Sequence, residues 1–254
     1  MTLLAAARCG AATLPNTHND SKGISVMEFQ EFFNRLELCI WQYDLLNHPF
    51  YQAWSHGTLT RDDLGIYAQH YYHHVESFPC CLTEFARRLS RSSLQVVLDN
   101  RNDEMGYELG RSHPDLWLDF AMGVGAFRLL RENEVVPQVR NLVGFFRRFA
   151  AKGSPEEIVT AFYVYESQIP AVSNAKVRGL RKYYDLQETA YRYFTVHARI
   201  DLRHASAWHI ELEKLVNSDP NSCDRALEAA RRSVIALWEA LDGIEHACLE
   251  RLGH

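Results

Sequence analysis

From about residue 25 onward, apolar positions recur every three to four residues, and no segment alternates in the manner of a half-buried strand. The period predicts helices over 26–46, 60–88, 92–105, 135–150 and 155–173, with another opening at Pro114. The first should end before Asn47-His48-Pro49, and Pro79 should bend the second late in its course. Thr60 with Asp63, and Ser154 with Glu157, read as capping boxes, because a hydroxyl and a carboxylate three residues apart satisfy each other's free backbone donors. Asp185 with Glu188 is read the same way, heading a helix that reaches about Val216. Pro220 then starts the last helix, whose interior glycine is Gly243. Short connections and the absence of a fixed repeat predict an all-α, single-domain bundle of seven to eight helices.

Polar groups interrupt these apolar stripes at a few positions, and there the candidate chemistry lies. His197, Asp201 and His204 stand at i, i+4 and i+7, within roughly 60° of one another around a helix. Tyr193 and Trp208 extend that stripe by a turn at either end. Two imidazoles and a carboxylate are costly to bury unless paired or coordinated, and together they suit iron, manganese or zinc. The alternative is a pair of core histidines bonded to Asp201. Glu166 also sits on an apolar stripe, flanked by Val159, Phe162, Tyr163, Ile169 and Pro170. It needs a cation, a proton or a partner such as Arg203. Pro170 removes the backbone donor for the carbonyl of Glu166, so a local opening of that helix is expected. Glu104 lies in a polar helix end, and His113 precedes Pro114, where it would serve equally as an N-cap. His74 belongs to the row Tyr67, His70, Tyr71, His74 and Phe78; such a row is ordinarily core, with His74 lining a cavity or bonding to a metal ligand as the other reading.

Composition narrows the field. The chain has 254 residues, 47% apolar and 23% charged, as soluble globular proteins do. A net charge of −5 lends no support to a nucleic-acid partner. No stretch approaches the roughly 18 apolar residues of a membrane span. Six cysteines (Cys9, Cys39, Cys80, Cys81, Cys223 and Cys248) lack any C-x-x-C spacing and read as reduced, mostly buried thiols of a cytoplasmic protein. Residues 1–25 are rich in Ala, Thr, Asn and Ser without periodicity, and read as a disordered extension, with Met27 as an alternative start. The remainder, 26–254, reads as one domain. Helical folds of this size often dimerise, so a homodimer is the partner left open.

Several segments resemble a known family. Tyr-Glu-Ser-Gln-Ile-Pro at 165–170, Lys-Val-Arg-Gly-Leu at 176–180 and Tyr-Phe-Thr-x-His-x3-Asp-x2-His at 193–204 are similar to the chlamydial death-domain-associating protein and its bacterial relatives. Phe-Tyr-x2-Trp-Ser-x-Gly-x-Leu-Thr at 50–60, Leu-Asp-Asn-x2-Asp-Glu at 98–104 and Asp-Leu-Trp at 115–117 agree, in the same order. Those relatives are p-aminobenzoate synthases of the heme-oxygenase-like dimetal oxidase superfamily. The resemblance implies that fold for 26–254 and two metal ions, either two irons or an iron–manganese pair. It implies Glu104, His113, Glu166, His197, Asp201 and His204 as ligands. The loop between Glu104 and His113 is slightly longer than in the family pattern, which leaves Glu108 as a substitute. Oxygen and a reductant would be co-substrates, with an external electron donor as partner.

The resemblance further implies that the enzyme consumes its own Tyr51, with Lys176 as amino donor and Tyr193 as a second tyrosine of interest. A phenol side chain holds the carbon skeleton of p-aminobenzoate once the Cα–Cβ bond breaks, Cβ becomes carboxylate and the hydroxyl gives way to an amine. Such a protein turns over once. Two other readings compete: a dimetal oxidase acting on an external small molecule such as an amino acid or fatty acid, and a metal-free, cofactor-binding protein of the same fold. Nothing in the chain resembles a death-domain docking motif.

Overall fold

The computed structural model describes residues 26–89, 91–219 and 221–252, and among these it contains nine α-helices and no strand. They are α1 (Val26–Gln42), α2 (Pro49–His56), α3 (Arg61–Ala86), α4 (Arg91–Glu104), α5 (His113–Gly123), α6 (Pro137–Lys152), α7 (Pro155–Tyr183), α8 (Glu188–Ser218) and α9 (Ser222–Leu252). The expected extension over 1–25 and the helix start at Pro220 lie outside the described residues. No described helix is long and apolar enough to cross a membrane.

The capping boxes of Thr60–Asp63 and Ser154–Glu157 form as the spacing predicts, each carboxylate accepting the backbone N–H of its cap residue. Four features differ from the sequence reading by more than a residue or two. The first helix stops at Gln42, because Asp44 accepts the Leu46 N–H and starts a separate 3-10 turn. The short α2 follows, raising the count above eight: Pro49 occupies its first turn, and the His48 ring accepts the Phe50 N–H as its cap. The helix containing Glu166 runs on to Tyr183, since the neighbours of α7 hold it through Pro170, and the Asn174 amide donates to the Pro170 carbonyl. Asp185 is not a cap; it takes a left-handed turn (φ 47°), and Gln187 precedes α8 without a side-chain bond.

α7 forms the spine, packed against α8 on one side and α9 on another; α5 lies against α8, and α3 packs on α5 and α6. Its core is unusually aromatic: Trp54, Trp117, Trp208, Tyr67, Phe120, Phe146, Phe162 and Phe194 are all fully buried. Two glycines shape the functional region. Gly106, at φ 75°, lets the backbone of Arg111 and Ser112 fold over the end of α4 where any Cβ would collide with it. Gly179 lets α2 press against α7, since a Cβ there would lie 2.7 Å from Trp54 Cδ1. The five cysteines among the described residues are unpaired; Cys81 and Cys248 are buried, but Cys80 is exposed, fewer inside than expected.

Candidate metal centre and tyrosine–lysine pocket

Six buried side chains from α4, α5, α7 and α8 gather in two groups. Glu104, His113 and His197 form one; Glu166, Asp201 and His204 form the other. Within each group the possible ligand atoms lie within 4.8 Å of one another. Donors 2.0–2.2 Å from a shared ion stand about 3–4 Å apart, so a small contraction closes either triad on a cation. One small internal cavity touches Glu104, His197, Glu166 and Asp201, so the two groups adjoin.

The local structure explains each position. Glu104 ends α4, the Gly106 turn brings the chain back, and Ser112 caps α5, which frees the His113 ring from capping. His113 Nδ1 then lies 2.9 Å from Glu104 Oε1, and His197 Nε2 lies 3.7 Å from the same oxygen. Although close, His113 is not aimed at Glu104 as a hydrogen bond requires, and both its ring nitrogens lack a partner. Asp201 Oδ2 is likewise buried and unpartnered. Unsatisfied buried groups cost free energy, and donors that converge without bonding to each other fit a cation. Glu108 is exposed, so it does not substitute for Glu104.

In the second group, His204 Nδ1 lies 3.1 Å from Asp201 Oδ1 and 3.7 Å from Glu166 Oε1. Arg203 is not the partner of Glu166; it pairs with Asp103. Glu166 instead accepts from the Asn100 amide at 2.9 Å to each oxygen and from the Trp208 indole N–H. Asn100 and Asp103 were invisible as partners in the sequence, since only tertiary packing brings α4 onto α8.

Electrostatics mark both groups as charge-rich. Burial raises the Glu104 carboxyl, but His113 and His197 outweigh it and hold the group well below the ordinary range. Burial pushes Glu166 up to about 8 against the pull of His204. His204 is disfavoured as a cation by burial, yet Glu166, Asp103 and Asp201 hold it up at about 11. The second group, without a metal, therefore retains a proton. A third constellation, His48 with Asp242 and Glu245, is differently built. His48 Nδ1 accepts from the Phe50 N–H, so Nε2 carries the proton that faces Asp242 at 3.1 Å, and no lone pair remains for a metal.

His74 is fully buried between Tyr71, Tyr165 and Phe146, and neither ring nitrogen has a partner, so it holds no ligand by a hydrogen bond. Burial lowers its pKa to about 3.

Tyr51 and Lys176 meet in a separate buried pocket between α2, α3 and α7. Lys176 Nζ donates to Tyr51 Oη at 3.0 Å and to Tyr67 Oη at 2.5 Å, and the phenols are 3.2 Å apart. Nζ also lies over the rings of Tyr51 (4.4 Å), Tyr67 (4.6 Å) and Phe194 (5.0 Å). Burial drives the Lys176 pKa well below 10.5, with no carboxylate partner to oppose it. Tyr67, whose place in an aromatic helical row predicts only core, thus also carries a polar contact to the lysine. Ten residues of α7 separate Lys176 from Glu166, about 15 Å of helix rise. Aromatic rings fill the interval: Tyr67 to Trp117 at 5.5 Å, Trp117 to Tyr193 at 4.8 Å, and Tyr193 stacked on His197 at 4.0 Å.

Comparison with known proteins agrees with this architecture. A 4-aminobenzoate synthase of Chlamydia muridarum is 36% identical over 225 residues, covering 87% of this chain and 92% of the relative. One from Nitrosomonas europaea is 34% identical over 235 residues, covering 87% and 94%. Among solved structures, a domain of unknown function with a heme oxygenase-like fold from Shewanella denitrificans superposes with a TM-score of 0.72, at 18% identity, over 91% of this chain and 97% of that one. The model of the iron-containing redox enzyme family matches residues 66–238, and the chain belongs to that family.

Proposed function

We propose that the chain is a dimetal oxygenase that makes p-aminobenzoate from its own Tyr51, with Lys176 supplying nitrogen. Support comes from the names of the two bacterial relatives and, above all, from the contact of Lys176 Nζ with the Tyr51 oxygen it would replace. Glu104, His113 and His197 would hold one ion, and Glu166, Asp201 and His204 the other. Two irons or an iron–manganese pair suit three carboxylates and three imidazoles. Bound there, such a pair supplies the oxidising power drawn from oxygen and an external reductant.

The chain's own residues do the rest. Burial keeps Lys176 as a neutral amine, so its lone pair is available for the ring carbon of Tyr51. The two phenols anchor the amine over the ring, and the surrounding Trp54, Phe50 and Phe194 keep water away. Tyr67, Trp117 and Tyr193 give electrons leaving Tyr51 a contiguous aromatic path toward His197. Release of the product then requires cleavage of the Tyr51 Cα–Cβ bond, after which Cα takes up hydrogen and stays as a glycyl residue. It also requires oxidative cleavage of the Lys176 Nζ–Cε bond, with oxygen as the oxidant and Cε left as an aldehyde whose oxygen comes from water. Oxygen supplies the carboxylate oxygens at Cβ, and the phenol oxygen departs as water.

Intact-protein mass spectrometry tests this. Metal, reductant and oxygen, without any aromatic precursor, should release p-aminobenzoate and leave a lighter chain altered at 51 and 176. Product formed with both residues unchanged would overturn the proposal. Tyr51→Phe should abolish product; an enzyme for an external substrate would keep most of its activity.

A further inference from the structure

We propose that Asp103, clamped by Arg203 beside a surface cleft, is a positioning residue that turns His204 Nδ1 toward Glu166 and Asp201. The inference rests on the metal-centre reading above. A histidine that binds a metal through one nitrogen ordinarily donates its other N–H to an acceptor that fixes the ring. His197 does so through the backbone, with Nδ1 2.9 Å from the Tyr193 carbonyl and Nε2 facing Glu104. His204 is turned the other way. Its Nε2 lies 2.9 Å from Asp103 Oδ2, while Nδ1 faces Asp201 and Glu166. The contact with Asp103 commits Nε2 to a hydrogen bond outside the second group, which leaves Nδ1 as the ring nitrogen that faces Asp201 and Glu166 and would be free to ligate.

Consecutive helical residues project about 100° apart, so one turn of α4 serves both groups. Glu104 faces His113 and His197, and Asp103 faces His204. Asp103 is itself held: the Arg203 guanidinium donates to the same Oδ2 at 3.2 Å. The Asp103 side chain is 10% exposed, whereas that of Arg203 is 65% exposed. The pair borders a cleft of about 110 Å³ that also touches Asn100, His204 and Trp208. The two histidines thus differ in a way mutation can reach. The acceptor of His197 is main chain, and that of His204 is a removable carboxylate next to an opening wide enough for a small anion.

The test is titration of the metal-free, full-length protein with Mn(II) alone, following unbound Mn(II) by its electron paramagnetic resonance signal. The wild type should bind two ions. Asp103→Ala should keep one at wild-type affinity and bind the other about 10- to 100-fold more weakly. Asp103→Asn, whose amide oxygen still accepts, should recover part of that loss. Formate should strengthen the weakened ion in Asp103→Ala and leave the wild type unchanged. Arg203→Ala should weaken the same ion by less than Asp103→Ala does. If Asp103→Ala binds both ions as the wild type does, or weakens both equally with no response to formate, the positioning role is overturned. If the wild type binds no ion, the metal-centre reading itself fails.

Discussion

Lys176→Met probes whether the buried lysine is a neutral amine. Methionine preserves an unbranched side chain of similar length, so the aromatic pocket stays filled, while the two hydrogen bonds to Tyr51 and Tyr67 are lost. Those bonds are worth about 1 kcal/mol each, and the thioether offsets part of that by burying without an amine to desolvate. The diagnostic signal is the pH dependence. Burial lowers the folded-state pKa of Lys176 far below the 10.5 of the free side chain. Between those two values the unfolded chain binds a proton that the folded chain does not. Wild-type stability must therefore rise with pH across that window, by up to about 1.4 kcal/mol per unit from this group. Burial pushes the facing phenols, Tyr51 and Tyr67, upward, so they do not titrate there. Denaturant unfolding of metal-free protein at pH 7, 8 and 9 gives the test. The stability difference between wild type and Lys176→Met should move toward the wild type by about 1 kcal/mol or more per pH unit, and the variant should make no p-aminobenzoate. Parallel stability curves would mean a charged lysine in the folded state and would refute the amine-donor argument.

Three further outcomes follow from the geometry. Because the second group holds a proton when empty, metal loading at pH 7 should release at least about one proton per pair of ions. Calorimetry in buffers of different ionisation enthalpy measures this, and no buffer dependence would contradict it. Glu166→Gln removes a carboxylate whose pKa is raised by burial to about 8. A raised carboxyl stabilises the fold below its unfolded value and loses that contribution as pH rises through 8, so the metal-free variant should fall less in stability than wild type between pH 5 and 9 while losing one ion; identical pH profiles would count against it. Gly179→Ala places a methyl 2.7 Å from Trp54 Cδ1, and overpacking of that kind costs about 1–3 kcal/mol. A lowered thermal midpoint together with a reduced yield of p-aminobenzoate is expected, and a wild-type yield would show that the α2–α7 approach does not matter.

Much of this architecture was legible because its signals are local. The His197, Asp201 and His204 stripe lies on a single helix, and the boxes at Thr60 and Ser154 each span three residues. Glu166 stood out as a carboxylate on an apolar face. The short α2 carried its own marks, Pro49 in its first turn and Gly57 in a left-handed C-cap, but eight residues are too few for a period to emerge. The continuation of α7 beyond Ser173 depends on packing from α2, α8 and α9, which outweighs the local cost of Pro170, Asn174 and Gly179. What no period encodes is the set of partners. Asn100 on Glu166, Asp103 on His204 and Tyr67 on Lys176 are contacts between residues 66 to 109 positions apart. Their side chains looked like a solvated helix end and a core aromatic until the bundle closed around them.

The central claim is that two ions sit side by side inside the bundle. Anomalous diffraction from crystals grown with Fe(II) and Mn(II) measures it directly. Two adjacent peaks are predicted, one bounded by Glu104, His113 and His197 and the other by Glu166, Asp201 and His204. A single peak, or none within reach of these side chains, would contradict the account.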